Sequence, residues 1–390
     1  MTGPRLSFSA LREVLAMQNN NGSPSSPEDR RSAQRRADYG DSYSGRSGRE
    51  YSIDPSYIRP PAKGRRIAGK LFKLLLSLVL IVLLLFTGYT ALVVFRVKYT
   101  DAHADHSAAE NGAGELRSDS SVENIMLYGA DNHKDGEYGR SDTIIMLSID
   151  KRTGTIKQTS FLRDLYVTIP GHGSDRLNAA FAIGGAKLAT ETVEYNFRVK
   201  TDGYIVIDFS GFTSLIDALG GMTLELTEEE IDYINWQSWR NKQTDTRNEL
   251  VIPESEFHTG KNDEKTASVK LNGRQALWYA RDRDSAGSDF DRTARQRIVI
   301  DTIITQLRRS DPFTLMYVAF QAAPLITTDM SWTDVLGKLF SLPQLLRYDK
   351  KEYRVPRSDN FSFLWVEDAS VIGIDDLEYE RSRLYEFIYG

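Results

Sequence analysis

Arginines and aspartates recur along this chain at spacings suited to holding a diphosphate. The densest group lies in WYARDRDSAGSDFDRTARQR, which contains Arg281, Arg283, Arg292, Arg295 and Gln296. Arg292, Arg295, Gln296 and Val299 stand at i, i+3, i+4 and i+7, so on a helix they share one face. A guanidinium fork bonds two phosphate oxygens at once, so two arginines and a glutamine beside an Arg-x-Arg pair make a polydentate donor surface. Asp282, Asp284, Asp289 and Asp291 are interleaved, and a merely solvated charged face is the alternative. Ile300, Ile303, Ile304 and Leu307 give the same helix an apolar side, which docks it on the domain and favours phosphate.

A second group sits where strands begin and end. Asp131 follows NIMLYG, Arg140-Ser141-Asp142 precedes TIIMLSI, and Arg163-Asp164 follows a strand ending at Phe161. Strand ends are where ligand groups collect in α/β sheets. Two carboxylates brought together there repel unless a cation lies between them. With no cysteine and 5 histidines, an oxygen-ligated hard cation fits, Mg²⁺ before Ca²⁺. Salt bridges to the neighbouring arginines are an equal alternative. No HExxH, Walker A or GxSxG pattern occurs. IGGAK (Ile183 to Lys187) lacks P-loop spacing and falls inside a helical pattern, where close helix packing accounts for it. His103 and His106 lie in a polar linker and receive no role.

These side chains need a scaffold that brings strand ends and one helix together. From Val122 onward the pattern is mixed α/β. Residues 124–128 and 143–150 read as buried strands, and Thr155–Phe161 pairs with the latter across a Lys-Arg-Thr-Gly turn. Residues 178–196 and 210–219 read as helices, with a strand at 203–209 between them and another at 222–226 after Gly220-Gly221. Residues 271–279 and 291–309 are helical. A helix at 332–346, strands at 353–355 and 361–365, and a helix at 375–388 complete one domain.

The chain has 390 residues with 49 Lys and Arg, 54 Asp and Glu, and 41% hydrophobic residues. That composition excludes wholesale disorder and a polytopic membrane protein, and the absence of cysteine excludes disulfides and thiolate metal sites. A net charge of −5 excludes global attraction to nucleic acid. Residues 1–73 carry 14 basic against 7 acidic side chains, and the remainder 35 against 47. Residues 74–95 are 22 consecutive uncharged positions, enough to cross ~30 Å of hydrocarbon. Arg59, Lys63, Arg65, Arg66, Lys70 and Lys73 precede this run, which places the N-terminus in the cytoplasm by the positive-inside rule. The predicted layout is a disordered cytoplasmic tail (1–66), a transmembrane anchor (67–96), an extracellular spacer (97–121) and an extracellular catalytic domain (122–390) in a type II membrane protein. ATP is scarce outside the cell, whereas lipid-linked diphosphates occur there and suit a tethered domain.

The motifs NIMLYGAD, GRSDTIIMLSID, FLRDLYVTIPG, RLNAAFAIGG, DGYIVIDFSGFTSLIDALGGM, LNGRQALWYARDRD and DFDRTARQR occur in this order from about residue 123 onward. In this they resemble the LytR-CpsA-Psr family, phosphotransferases of bacterial cell envelopes. The resemblance implies an α/β fold, a three-layer α/β/α domain whose central mixed sheet encloses a polyprenyl pocket, preceded by one transmembrane helix. It also implies transfer of an anionic glycopolymer, such as teichoic acid or capsule, from a polyprenyl-pyrophosphate carrier to peptidoglycan through a phosphodiester link. By motif, Asp131 and Asp142 resemble the ligands of Mg²⁺, or of Mn²⁺ in its place. Arg140, Arg163, Asn178, Arg281, Arg283, Arg292, Arg295 and Gln296 resemble the pyrophosphate-binding set. Asp142, Arg163, Asp164, Arg292 and Arg295 form the implied catalytic group, with Asp142 or Asp164 orienting or deprotonating the attacking sugar hydroxyl. GAD replaces the usual GSD and LRD the usual PRD, and RLNAA stands where lysine often precedes. None of these departures removes a charged group. Nothing is carried over to 228–269, which is less family-like. A membrane-bound regulator and a polyprenyl-pyrophosphate pyrophosphatase are the alternative functions, and the tail lacks a helix-turn-helix pattern for the former.

Overall fold

The computed structural model describes residues 63–107, 110, 115–130, 139–241, 250–260, 264–282, 289–366 and 369–390. In chain order the elements are α1 (Lys63–Val94), β1 (Lys98–Tyr99), β2 (Val122–Ala130), β3 (Ser141–Asp150), β4 (Thr155–Phe161), β5 (Tyr166–Ile169), β6 (Gly173–Arg176), α2 (Leu177–Phe197), β7 (Gly203–Asp208), α3 (Phe209–Ala218), β8 (Met222–Thr227), α4 (Glu228–Arg240), β9 (His258–Thr259), β10 (Lys265–Leu271), α5 (Gly273–Arg281), α6 (Asp289–Arg309), α7 (Pro312–Ala322), β11 (Ile326–Thr328), α8 (Trp332–Leu345), β12 (Asp349–Val355), β13 (Phe361–Val366), β14 (Ala369–Ile374) and α9 (Leu377–Tyr389). Among the described residues, one helical stretch, Phe72–Val94 within α1, is long and apolar enough to cross a membrane.

Seven strands pair in the order β1-β11-β7-β2-β3-β4-β12. β3 is antiparallel to both β2 and β4, whereas β7 runs parallel to β2 and β12 parallel to β4. This topology sends the C-terminal ends of β2, β4, β7 and β12, and the N-terminal end of β3, to a single rim. Arg140, Asp142, Arg163 and Asp164 gather there from distant parts of the chain.

Side chains alternate across the sheet. Met126, Tyr128, Ile144 and Met146 face one side, where α2 and α9 seal them into the main core with Ala180, Val193, Leu384 and Ile388. Ile125, Leu127, Ile149 and Ile205 face the other, against Val335 and Leu345 of α8. Helices on both faces make three layers. The seals are unequal, because Leu127, Leu147, Ile205 and Ile207 on the second face are only half-buried. A smaller sheet, β8-β10-β9, has a core of its own that joins Ile216 of α3, Ile231 and Ile234 of α4, Tyr279 of α5 and Val299 of α6.

Several elements differ from the expected set. Leu271 ends a strand instead of opening a helix, because Asn272 caps α5. Its side chain accepts from the Gln275 amide at 3.0 Å, and Gln275 Oε1 accepts from the Asn272 amide at 2.8 Å, a reciprocal capping box. Helix α7 is additional; Asp311 caps it and Pro312 occupies its first turn, where a missing N–H costs nothing. Helix α2 is bent at Gly184-Gly185, with Gly185 at φ +65°. A Cβ on Gly184 would lie 2.6 Å from that of Leu188, so this glycine answers the expected close packing, while the non-helical angles of the pair make the kink. The stretch 97–121 is partly folded. β1 joins the sheet beside β11, the Asp105 amide donates to Glu191 Oε1 at 2.6 Å, and His106 Nδ1 lies 2.9 Å from Glu194 Oε2. His106 thus helps dock this segment on α2. Helix α1 begins at Lys63, inside the expected tail.

Candidate functional site

Asp142, near the start of β3, is held from two sides. Arg163 Nη1 donates to its Oδ1 at 2.5 Å, and Arg281 Nη2 lies 3.4 Å from its Oδ2. Gln296 Nε2 donates to the Asp142 backbone carbonyl at 3.2 Å. The end of β4, the end of α5 and the second turn of α6 therefore meet on one residue. Arg163 also reaches Asp164 through Nε at 3.3 Å, and Arg176 Nε lies 3.7 Å from the other Asp164 oxygen. Arg281 stands over the Phe209 ring, 4.3 Å from its centroid, a cation–π contact that favours one orientation of the fork. Asn178 is buried and its backbone N–H donates to the Arg163 carbonyl at 3.0 Å. Arg140 is exposed on the approach to β3. Asp131 and Arg283 lie outside the described residues.

The arginine face of α6 is not solvated. Arg292, Arg295, Gln296 and Val299 are all buried, as the shared-face spacing requires once α6 packs on the smaller sheet. Arg295 Nε donates to Glu230 Oε1 at 2.9 Å, Nη1 donates to the Asp282 carbonyl at 3.0 Å, and Nη2 lies 3.5 Å from Asp282 Oδ2. Asp282 is thus a direct partner of this arginine. Glu230 comes from a stretch with no expected site residue. It does double duty, since its Oε2 accepts from the Thr227 amide at 3.1 Å while the Thr227 hydroxyl accepts from the Glu230 amide at 3.3 Å. The Thr-x-x-Glu capping signature was the available signal for its position, though not for its partner. Burial, reinforced by the Glu230 charge, raises the Tyr279 phenol well above its usual value. Arg176 and Phe209 are likewise site neighbours that local spacing does not reveal.

The Asp142 carboxylate is salt-bridged to Arg163 and Arg281, the alternative the spacing left open beside a cation. Asn178 Oδ1 and Gln296 Oε1 are buried and accept no hydrogen bond among the described residues, and such oxygens are of the type a hard cation takes. Among the described residues no cluster of three His, Cys, Asp or Glu side chains forms a ready-made metal cage.

A mixed sheet with helices on both faces and a rim that gathers arginines around an aspartate defines a three-layer α/β domain with a charged rim. The model of the LytR_cpsA_psr family matches residues 86–380, and the chain belongs to that family. Regulatory protein MsrR of Staphylococcus aureus (strain Mu50) is 30% identical over 207 residues, 53% of this chain and 55% of that protein. The polyisoprenyl-teichoic acid–peptidoglycan teichoic acid transferase TagU of Oceanobacillus iheyensis is 36% identical over 191 residues, 47% of this chain and 51% of its own. The chain thus spans about half the length of these curated relatives. A solved structure of the LytR-CPS2A-psr family protein YwtF (TagT) with bound octaprenyl pyrophosphate shares the fold. Its TM-score is 0.51 at 20% identity, covering 75% of this chain and 99% of that one.

Proposed function

We propose that this chain transfers an anionic glycopolymer from a polyprenyl-pyrophosphate carrier to peptidoglycan on the outer side of the membrane. The observation that carries this reading is the convergence of Arg163, Arg281 and Gln296 on Asp142 at the sheet rim. The transferase name of one relative and the octaprenyl pyrophosphate bound to another support the same reading.

A diphosphate needs its charge met by donors that can bond two oxygens at a time. Arg140, Arg163, Arg281, Arg283 and Arg292 take that role, with the Gln296 amide and Asn178 orienting the group. Arg295, already shared between Glu230 and Asp282, holds α6 in register. The half-buried aliphatic face of the sheet, Leu127, Leu147, Ile205 and Ile207, offers an apolar wall for the prenyl tail. Asp142 or Asp164 accepts the proton of the incoming peptidoglycan hydroxyl. The hydroxyl oxygen bonds to the phosphorus that carries the polymer, and the bond from that phosphorus to polyprenyl phosphate breaks. Asp142, together with Asp131, would hold Mg²⁺ or Mn²⁺, which supplies further neutralisation of the diphosphate charge. The basic flank before the uncharged run of α1 orients the domain outward.

The test is incubation of the purified chain with lipid-linked polymer and peptidoglycan. The expected result is a covalent polymer–peptidoglycan adduct with release of polyprenyl phosphate. Release without an adduct identifies a pyrophosphatase, and no consumption of the lipid refutes both. The regulatory name of MsrR favours a second reading, in which the domain binds the same lipid without turnover. In that case the purified chain would bind the lipid without releasing polyprenyl phosphate, and Asp142→Ala would weaken that binding and the wall phenotype together.

A further inference from the structure

We propose that α7 and α8 sit in the outer leaflet of the membrane that α1 crosses, so that the domain is immersed at this surface and does not stand above the bilayer on a stalk. The inference rests on the membrane reading of α1 given above.

Exposure along α1 changes abruptly. Large apolar side chains from Leu74 to Leu85 are exposed, whereas Thr90, Val93 and Val94 are buried. Tyr89 and Val93 pack with Ala319, Phe320 and Ala323 of the α7 region and with Val335 and Leu339 of α8. The Tyr89 hydroxyl donates to the Met316 carbonyl, and the Phe86 ring lies 5.7 Å from that of Phe340. The domain therefore clasps the helix inside its uncharged run.

Length makes this consequential. The 22 uncharged residues span about 33 Å as a helix, close to the ~30 Å of a hydrocarbon core. Without the clasped part, residues 74–88 span only about 22 Å. Either the basic flank is drawn inward or the clasping helices lie within the outer leaflet. The surface of those helices favours the second. No charged residue occurs from 312 to 328. Phe313 and Tyr317, one turn apart on α7, are 82% and 52% exposed, and Phe340 on α8 is 52% exposed. Such an aromatic surface is costly in water and suits the interfacial zone, where tyrosine is enriched. Arg96 stands over the Phe320 ring at 3.9 Å, a cation at the height where lipid phosphates lie.

The chain has no cysteine, so single-cysteine variants of the full chain report position cleanly. Phe313→Cys and Tyr317→Cys are compared with Leu80→Cys in mid-span and Ser382→Cys on the exposed side of α9, each exposed and so tolerant of substitution. The proteins are placed at one chain per nanodisc of phosphatidylethanolamine and phosphatidylglycerol. The readouts are labelling by a charged maleimide and quenching of an attached fluorophore by spin-labelled lipid. The expected result is labelling at positions 313 and 317 at least tenfold slower than at 382, with quenching by the lipid probe. Labelling at the rate of 382 while position 80 stays protected overturns the proposal. Protection seen only in discs holding two chains also overturns it and assigns the surface to a second copy. If position 80 labels as fast as 382, the membrane reading itself fails and this inference falls with it.

Discussion

Arg295→Ala should destabilise the domain by about 3–5 kcal/mol, the range for removing one member of a buried ion pair. The cost arises from what stays behind. The side chains of Glu230 and Asp282 are 14% and 1% exposed, and each carboxylate would stay out of water after losing the Arg295 guanidinium. At about 2–4 °C per kcal/mol, the figure for domains of 150–250 residues and an upper limit for residues 122–390, the melting temperature should fall by up to roughly 6–20 °C. Adding Glu230→Gln removes one stranded charge, so the double variant should recover part of the loss with a coupling of at least about 1 kcal/mol. Differential scanning fluorimetry of the full chain in detergent measures both. A melting point within a degree of wild type, or strictly additive losses, would refute the buried triad. Arg295→Lys keeps the charge but cannot serve Glu230 and both Asp282 acceptors, so α6 loses its register. Polyprenyl pyrophosphate should then bind about tenfold more weakly, equivalent to ~1.4 kcal/mol, as read by calorimetry. Arg308→Lys, in the last turn of α6, where the guanidinium donates to the Tyr348 carbonyl, should bind as wild type does.

Protease added to wall-stripped cells should digest the domain and spare the N-terminal tail; a protected domain would reverse the assigned orientation. Asp142→Ala should abolish transfer and its response to added Mg²⁺ while the circular dichroism spectrum is unchanged, and wild-type activity that EDTA still abolishes would remove Asp142 from the metal site. Burial raises the pKa of Asp150, but donors from Thr153 and the Lys157 ammonium at 3.3 Å outweigh it and hold the carboxyl at about 2. A carboxylate depressed in the folded state stabilises it above about pH 3.9 and loses that contribution as the pH falls towards 2. Asp150→Asn should therefore flatten the stability curve between those values, and an unchanged acid limb would contradict the assignment. Thr227→Ala should cost about 1 kcal/mol through loss of the α4 cap, and a melting point equal to wild type would show that the cap contributes nothing.

Periodicity and charge are local properties, and what depended on them was legible in the sequence. The uncharged run of α1, the strand Thr155–Phe161, and the shared face of Arg292, Arg295 and Gln296 all follow from spacing of 3.6 or 2 and from the sign of the flanking charges. The strand-end placement of Asp142 and Arg163 followed as well, because each adjoins an apolar run. Which of these groups meet, and in what medium, was not local. The spacing on α6 is the same for a solvated face and a buried one; packing against β8, β10 and α4 decided it. Arg295 and Glu230 are 65 positions apart, and no pattern on either helix announces the other. Gly184-Gly185 could ease packing or bend a helix, and the folded backbone does both, with Leu188 leaving no room for a Cβ on Gly184 and Gly185 turning to positive φ. The clasp of α7 and α8 on the end of α1 likewise needed the whole chain, since apolar residues seek burial without naming a partner, and it is the fold that supplies one.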